Sequence, residues 1–128
     1  MCGIVGYIGN NDAVPVLING LRKLEYRGYD SAGIAILAND KLDTIKTKGR
    51  LSDLENKLKI MQLEKTNIGI GHTRWATHGA PSDVNSHPHT NNKNTIAITI
   101  SMPPFNPKSH PPKSLDKLSS NFDMSFPP

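Results

Sequence analysis

The sequence predicts an α+β fold, because strand patterns and helix patterns are interspersed along its first hundred residues. Short apolar runs bounded by glycine or polar residues are typical of buried strands, and leucines three or four residues apart are typical of amphipathic helices. At 128 residues the chain is long enough for one domain at most. Seven of the ten prolines lie after residue 100. We therefore expect a folded part at 1–100 and a separate tail at 101–128.

The first strand is predicted at residues 3–8 (GIVGYI), and a helix is predicted directly after it. Asp12 is expected to cap this helix, and Pro15 is tolerated in its first turn. Gly28 is predicted to end the helix. One buried stripe is expected at the apolar positions of the helix: Val14, Leu17, Ile18, Leu21 and Leu24.

Further strands and a second helix follow. The segments GIAIL (33–37) and KLDTIKTKG (41–49) are predicted to be strands, joined by a hairpin turn at 38–40. NIGIGHTRW (67–75) begins as a strand, and TIAITI (95–100) alternates β-branched residues as strands do. The second helix is predicted from four apolar residues on one face: Leu51, Leu54, Leu58 and Met61.

The tail at 101–128 has no apolar periodicity and is rich in proline. Proline removes a backbone donor and fixes φ, so this tail cannot continue a central sheet. We expect the tail to be extended and largely disordered.

Composition and charge argue against several classes of function. The formal net charge is +4, but the lysines and arginines are scattered, whereas a nucleic-acid-binding surface would be denser. No apolar run is long enough to span a membrane, and the N-terminus lacks the basic start of a signal peptide. A single cysteine cannot form an internal disulfide. We therefore expect a cytoplasmic protein with no nucleic-acid or membrane partner.

The cysteine itself directly follows the initiator methionine, in MCGIVG. Once Met1 is removed, Cys2 would carry both a thiol and a free α-amine. That amine has an unperturbed pKa of about 8 and could serve as the base that activates the thiol as a nucleophile. On position alone, a cysteine that merely packs at the start of a strand is the favoured alternative.

A second polar cluster lies in LEYRGYDSAGIA (24–35), where Arg27, Asp30 and Ser31 stand between the end of a helix and the start of a strand. Two interpretations remain open for this cluster. It could contribute to a site, or it could be a plain turn with a capping carboxylate and an exposed arginine.

The third cluster, GHTRWATHG (71–79), combines a carboxylate-binding group with a candidate lid. The guanidinium of Arg74 matches the geometry of a substrate carboxylate. Thr77 and His78 could hydrogen-bond an amide or amino group. Trp75 suits a mobile lid that excludes water when it closes.

Four histidines in this region raise the possibility of a zinc site: His72, His78, His87 and His89. Their spacing fits no common zinc site, and the only cysteine lies far away in the sequence. No acidic residues stand where they would support ligand histidines. We therefore expect neither a metal nor another cofactor.

Together, MCGIVG, LEYRGYDSAGIA and GHTRWATHG with NSHPH (85–89) resemble the glutaminase domain of the glutamine–fructose-6-phosphate aminotransferase family. The resemblance covers about residues 1–98. MCGI is shared by class II glutamine amidotransferases in general, and YRGYDSAG (26–33) and TRWATHG (73–79) narrow the resemblance to this member. The similar amidophosphoribosyltransferases usually have HRGQ and RYST at these places.

The resemblance implies a fold and a reaction. The fold would be part of the four-layer αββα sandwich of N-terminal nucleophile hydrolases, with 1–100 as a partial class II glutamine amidotransferase domain. The thiolate of Cys2 would attack the side-chain amide of L-glutamine, forming a thioester and releasing ammonia. Arg74 would bind the substrate α-carboxylate, with Thr77 and His78 beside it and Trp75 in the closing loop. In the full-length enzyme, fructose 6-phosphate receives the ammonia in further domains, through which the family forms homo-oligomers.

The sequence departs from the family pattern after the strand TIAI (95–98). The family continues with VHNGIIEN, whose asparagine and glycine form the oxyanion hole, but positions 99–102 here are TISM. No oxyanion hole is identifiable, and the loss of one such donor typically slows the reaction about 10²–10³-fold. We expect an impaired enzyme fragment, truncated or disrupted in its reading frame. The alternative is a non-catalytic remnant that folds partly or only binds glutamine.

Overall fold

The computed structural model describes residues 2–76 and 79–101 of the chain. Strands and helices are mixed along it, as the sequence predicts for an α+β fold. A 3₁₀ turn at Glu25–Arg27 follows the first helix. The elements, in chain order, are β1 (Gly3–Ile8), α1 (Ala13–Leu24), β2 (Ser31–Ala38), β3 (Lys41–Lys48), α2 (Leu51–Ile60), β4 (Ile68–Arg74), β5 (His89–Thr90) and β6 (Ala97–Ile98).

Four of the strands form one antiparallel sheet in the order β1-β4-β2-β3. Its register is set by pairs such as Gly3 with Thr73 and Ser31 with Arg74. Because side chains alternate across a strand, each strand presents every second residue to each of two faces. The two short strands β5 and β6 pair antiparallel in a second sheet.

Both helices pack on one face of the four-stranded sheet and bury its apolar residues. Two glycines of β4 allow the close approach of α1, since a Cβ at Gly69 or Gly71 would lie 2.9 Å from the side chain of Leu17 or Leu21. This face therefore contains the main hydrophobic core, which comprises Ala13, Leu17, Ile18, Leu21, Ala32, Ile34, Ile36, Ile45, Leu51 and Leu54.

The other face of the sheet is covered by the segment that contains β5 and β6. A Cβ at Gly33 would overlap the carbonyl oxygen of His87, so this backbone lies directly on β2. The Nζ of Lys46 donates a hydrogen bond to the carbonyl oxygen of Ser86 at 3.1 Å. The described residues thus contain a helical layer, a sheet, and the beginning of a second sheet on the opposite face.

The first helix begins as predicted, and it ends earlier. Its N-cap is Asp12, whose side chain accepts a hydrogen bond from the backbone N–H of Val14 at 3.4 Å. The helix ends at Leu24, before the 3₁₀ turn. Gly28 has extended backbone with φ −171° and so does not form a left-handed helix cap. A glycine is required there because a Cβ would lie 2.6 Å from the carbonyl carbon of Arg74.

The first four strands lie where the sequence predicts them, and the strands after β4 differ from the prediction. The turn between β2 and β3 has positive φ at Asn39 and Asp40 (50° and 59°), which these residue types tolerate. The predicted strand at 95–100 is only Ala97–Ile98, because just those residues pair with another strand, β5, which the sequence did not indicate.

The second helix ends at Ile60, so Met61 lies outside it and is 42% exposed, contrary to the prediction that it belongs to the buried face. Leu51 and Leu54 are buried as predicted, and Leu58 packs at the edge of the core. In the part of the chain that the structure describes, no helix has the length and apolar character needed to cross a membrane. The predicted disordered tail lies outside the described residues, apart from Ser101.

Candidate functional site

The three polar clusters of the sequence converge on one end of the four-stranded sheet. Arg74 is the last residue of β4, Ser31 is the first residue of β2, and the two residues pair. Cys2 directly precedes β1, whose first residue, Gly3, pairs with Thr73, the residue before Arg74. Strand alternation directs Ser31 and Arg74 to the face away from the helices. Cys2 is a half-buried free cysteine.

Arg74 is held at this end by contacts of its backbone and its side chain. It is only 9% exposed, although it is charged. Its Nη2 donates a hydrogen bond to the carbonyl oxygen of Gly79 at 3.3 Å, and its own carbonyl oxygen accepts one from the N–H of Asp30 at 3.2 Å. Arg74 therefore connects the sheet to the loop that follows β4.

Asp30 is the centre of a small hydrogen-bond network. One carboxylate oxygen accepts the backbone N–H of Ala76, and the other accepts the hydroxyl of Ser31 at 3.2 Å. Its carbonyl oxygen accepts the N–H of Gly49 at 2.8 Å. A capping carboxylate in a plain turn was one of the two interpretations open for this segment. The carboxylate of Asp30 does bind a backbone N–H, but that group lies 46 residues away in the sequence. Arg27, by contrast, is exposed and donates to the hydroxyl of Tyr26 at 3.0 Å, so it does not join this network.

Trp75 lies between the two residues that Asp30 binds. Its ring meets the edge of Tyr29 in a T-shaped contact with the centroids 5.1 Å apart, and it remains 42% exposed. Thr77 and His78, the other predicted substrate-binding residues, lie outside the described residues. Their predicted roles therefore stay predictions.

Three histidines form a cluster beside this end of the sheet. The rings of His72 and His87 are stacked with their centroids 4.3 Å apart, and His89 meets His87 at 4.2 Å. His72 is fully buried, and its Nε2 lies 3.0 Å from the carbonyl oxygen of Ile100. The N–H of Ile100 in turn donates to Nδ1 of His87 at 3.4 Å. Two imidazoles thus hold both backbone groups of Ile100.

These imidazoles are neutral at pH 7. Burial above all, together with imidazole and cationic neighbours, lowers the pKa of His87 to about 3. Burial also lowers the pKa values of His72 and His89. The bond to Ile100 places the proton of His72 on Nε2, which leaves Nδ1 a buried acceptor without a hydrogen-bond partner among the described residues.

This cluster gives His72, His87 and His89 a structural role in packing and hydrogen bonding. Over residues 2–76 and 79–101, no group of three or more histidine, cysteine, aspartate or glutamate residues is arranged to hold a metal ion. One signal could have indicated the burial of His72. His72 is two residues from Ile70 and two residues from Arg74 in β4, so the three side chains lie on the same face of the sheet.

Comparison with known proteins identifies several relatives by sequence. A 98-residue segment, 77% of this chain, is 63% identical to the glutamine–fructose-6-phosphate aminotransferase [isomerizing] of Clostridium perfringens. The enzymes of that name from Clostridium acetobutylicum and Cyanidium caldarium are 62% and 52% identical over 98 and 100 residues. The chain is a relative of the glutamine–fructose-6-phosphate aminotransferases. It spans about 16% of the length of each of these enzymes.

A solved structure supports the fold. The glutamine phosphoribosylpyrophosphate amidotransferase from B. subtilis, complexed with ADP and GMP, superimposes with a TM-score of 0.60 and 28% sequence identity. The match covers 73% of this chain and 20% of that one. No protein-family model matches the chain. The predicted fold class, an α+β part of the sandwich of N-terminal nucleophile hydrolases, is therefore confirmed. So is the resemblance to the aminotransferases that three short motifs indicated.

Proposed function

We propose that this chain provides the glutamine-hydrolysing half of glutamine–fructose-6-phosphate aminotransferase chemistry, with L-glutamine as its substrate. The observation that carries the proposal is the pairing of Gly3 with Thr73 at the end of β1 and β4. Cys2 directly precedes Gly3, and Arg74 directly follows Thr73. This arrangement supports a site in which a glutamine bound by its α-carboxylate at Arg74 extends its side-chain amide towards Cys2.

In the proposed reaction the thiolate of Cys2 attacks the side-chain amide carbon of glutamine. The sulfur–carbon bond forms, the carbon–nitrogen bond breaks, and ammonia leaves after taking up a proton from the α-amine of Cys2. Water then cleaves the thioester to release glutamate and regenerate the thiol. The sequence carries Met1 before Cys2, so the α-amine becomes available only when Met1 is removed.

The remaining site residues have supporting roles in this proposal. Arg74 binds the α-carboxylate through its planar guanidinium. Thr77 and His78 hydrogen-bond the substrate from the same loop, and Trp75 closes over it as a lid. The partial exposure of Trp75 and its edge contact with Tyr29 support a ring that can contact both protein and ligand.

We further propose that turnover is slow. The tetrahedral intermediate needs hydrogen-bond donors for its oxyanion, and each missing donor typically slows the reaction about 10²–10³-fold. The sequence at 99–102 is TISM rather than an asparagine–glycine pair. The N–H of Ile100 is already donated to His87. This engaged N–H favours a second candidate function, a glutamine-binding module without turnover.

The other partners belong to the complete enzyme. Because the chain spans about 16% of its relatives' length, transfer of ammonia to fructose 6-phosphate and assembly of homo-oligomers are proposed to need regions outside the matched 98 residues. The proposed domain is 1–100, followed by the proline-rich tail 101–128, and the proposed location is the cytoplasm. We propose no cofactor and no nucleic-acid or membrane partner.

The test is covalent labelling of Cys2 by a diazoketone analogue of glutamine, measured by intact mass after Met1 has been removed. The thiolate should displace dinitrogen to form a thioether, and excess L-glutamine should protect the thiol. The Cys2→Ala variant should remain unlabelled. Labelling of Cys2→Ala to the same extent, or labelling of Cys2 that glutamine does not slow, would refute the proposal. Release of glutamate in the same preparation distinguishes slow turnover from binding alone.

A further inference from the structure

We propose that Asp30 is a positioning residue that holds the loop after β4, and through it the guanidinium of Arg74, in the geometry that binds the substrate carboxylate. The structural half of this inference concerns only contacts between Asp30 and residues 74–76. Its binding half rests on the proposed function.

Asp30 binds the loop at two points, one on each side of Trp75. Its backbone N–H donates to the carbonyl oxygen of Arg74 at 3.2 Å, and its carboxylate accepts the N–H of Ala76. Tyr29, the residue before Asp30, contacts the ring of Trp75. Two consecutive residues therefore hold three consecutive residues of the loop by backbone, carboxylate and ring.

This attachment is itself fixed to the sheet from two directions. The carbonyl oxygen of Asp30 accepts the N–H of Gly49, directly after β3, at 2.8 Å. Its second carboxylate oxygen accepts the hydroxyl of Ser31, which is fully buried and pairs with Arg74. Asp30 is thus bound to β2, to β4 and to the residue directly after β3. These bonds hold the loop rigidly against the sheet at the position of Arg74.

The pattern of donors and acceptors predicts which substitutions preserve this role. An asparagine can still accept the N–H of Ala76 through its carbonyl oxygen and can donate its amide to the hydroxyl of Ser31. An alanine can do neither. A role through hydrogen bonding thus predicts that Asp30→Asn retains most of the effect and that Asp30→Ala loses it.

A matched control exists at the start of α1. There the carboxylate of Asp12 accepts the backbone N–H of Val14 at 3.4 Å, which is the same kind of bond near the opposite end of β4. Asp12→Ala should lower the melting temperature through loss of a helix cap, without changing the loop. It separates general stability from positioning.

The experiment uses the Met1-processed chain with the variants Asp30→Ala, Asp30→Asn and Asp12→Ala. Acrylamide quenching of Trp75 fluorescence reports on the loop, because Trp75 is the only tryptophan. The concentration of L-glutamine that half-protects Cys2 from the diazoketone reports on binding, and the rate of alkylation by iodoacetamide reports on the thiol itself.

For Asp30→Ala we expect stronger quenching, a half-protecting glutamine concentration about 10–100-fold higher, as for a lost hydrogen bond to a charged group, and an unchanged iodoacetamide rate. Asp30→Asn should stay close to wild type in all three. If Asp30→Ala does not fold, Ala76→Pro removes the N–H that the carboxylate accepts while it keeps Asp30, and it should show the same changes.

Three results would overturn the inference: wild-type quenching in Asp30→Ala, equal effects of Asp30→Ala and Asp12→Ala on quenching, or an Asp30→Asn variant as impaired as Asp30→Ala. The proposed function fails separately, when glutamine gives no protection to the wild-type chain. In that case the quenching result still decides whether Asp30 positions the loop.

Discussion

The two faces of the four-stranded sheet are built in different ways. The face under the helices is apolar, and its side chains come from segments with a regular spacing of apolar residues in the sequence. The opposite face carries Ser31, Lys46, His72 and Arg74, and its cover is a segment with little regular structure. The first face contains the main hydrophobic core, and the second carries residues of the proposed site. Perturbations of the two faces should therefore differ in size and in their dependence on pH.

The largest effect is expected on the helix-covered face. Leu21 is fully buried against Gly71, so Leu21→Ala leaves a cavity in the main core. The free energy of unfolding should fall by about 2–5 kcal/mol. Urea denaturation followed by far-UV circular dichroism measures this change. A loss below 1 kcal/mol would mean that this face does not dominate the stability.

The second effect tests how closely the cover lies on the opposite face. A Cβ at Gly33 would overlap the carbonyl oxygen of His87, whereas a Cβ at Gly6 would meet nothing within 4 Å. Gly33→Ala should therefore destabilise the fold by about 1–3 kcal/mol, as overpacking does, and Gly6→Ala should not. Urea denaturation of both variants provides the comparison. Equal midpoints and slopes for the two variants would contradict a cover that rests on β2.

The third effect is a pH dependence confined to the same face. The pKa of His87 is lowered to about 3 in the folded chain, below its unfolded value of about 6.5. Between these pH values the unfolded chain binds more protons than the folded chain. The contribution of His87 to the free energy of unfolding is therefore fully present above pH 6.5 and is lost as the pH drops towards 3. His87→Asn keeps an acceptor for Ile100 but removes the titration, so its stability should change less between pH 7 and pH 4.5.

The check on this pH effect is the difference in free energy of unfolding between pH 7 and pH 4.5, at constant ionic strength. The Leu21→Ala variant serves as its control, because it should have the same pH slope as wild type. An identical slope in His87→Asn and wild type would show that the stacked imidazoles do not cause the acid sensitivity.

The smallest effect is expected at the solvent side of the short second sheet. Ile98 is 47% exposed in β6, so Ile98→Thr removes little buried area and keeps a β-branched side chain. The free energy of unfolding should change by about 0.5 kcal/mol or less. A change as large as that of Leu21→Ala, measured by the same denaturation, would mean that Ile98 is covered in solution.

The contrast between the faces also explains what could be predicted from sequence. The start of α1 was predictable because Asp12 caps the helix two residues away, and β1 because its apolar run ends at turn residues. The end of α1 was not predictable, because the glycine at position 28 is required by its close contact with Arg74, which lies far along the chain. Local signals describe the helix-covered face well.

The candidate site depends on distant contacts and was predictable only in its residue types. Motifs indicated Cys2 and Arg74, and the register of β1 with β4 brings them to one end of the sheet. The bond from Asp30 to the N–H of Ala76 and the clamp of two histidines on Ile100 follow from no periodicity. Such contacts are determined by packing once the sheet has formed.

The central claim is that Arg74 and Cys2 serve one ligand. The most direct measurement is the ratio of two rate constants for Cys2 alkylation, one with the diazoketone analogue of glutamine and one with iodoacetamide. In Arg74→Gln this ratio should fall about tenfold or more, because a charged hydrogen bond to the carboxylate is lost. In Arg27→Gln, which changes an exposed arginine nearby, the ratio should equal that of wild type. A ratio in Arg74→Gln that equals the wild-type ratio would contradict the shared site.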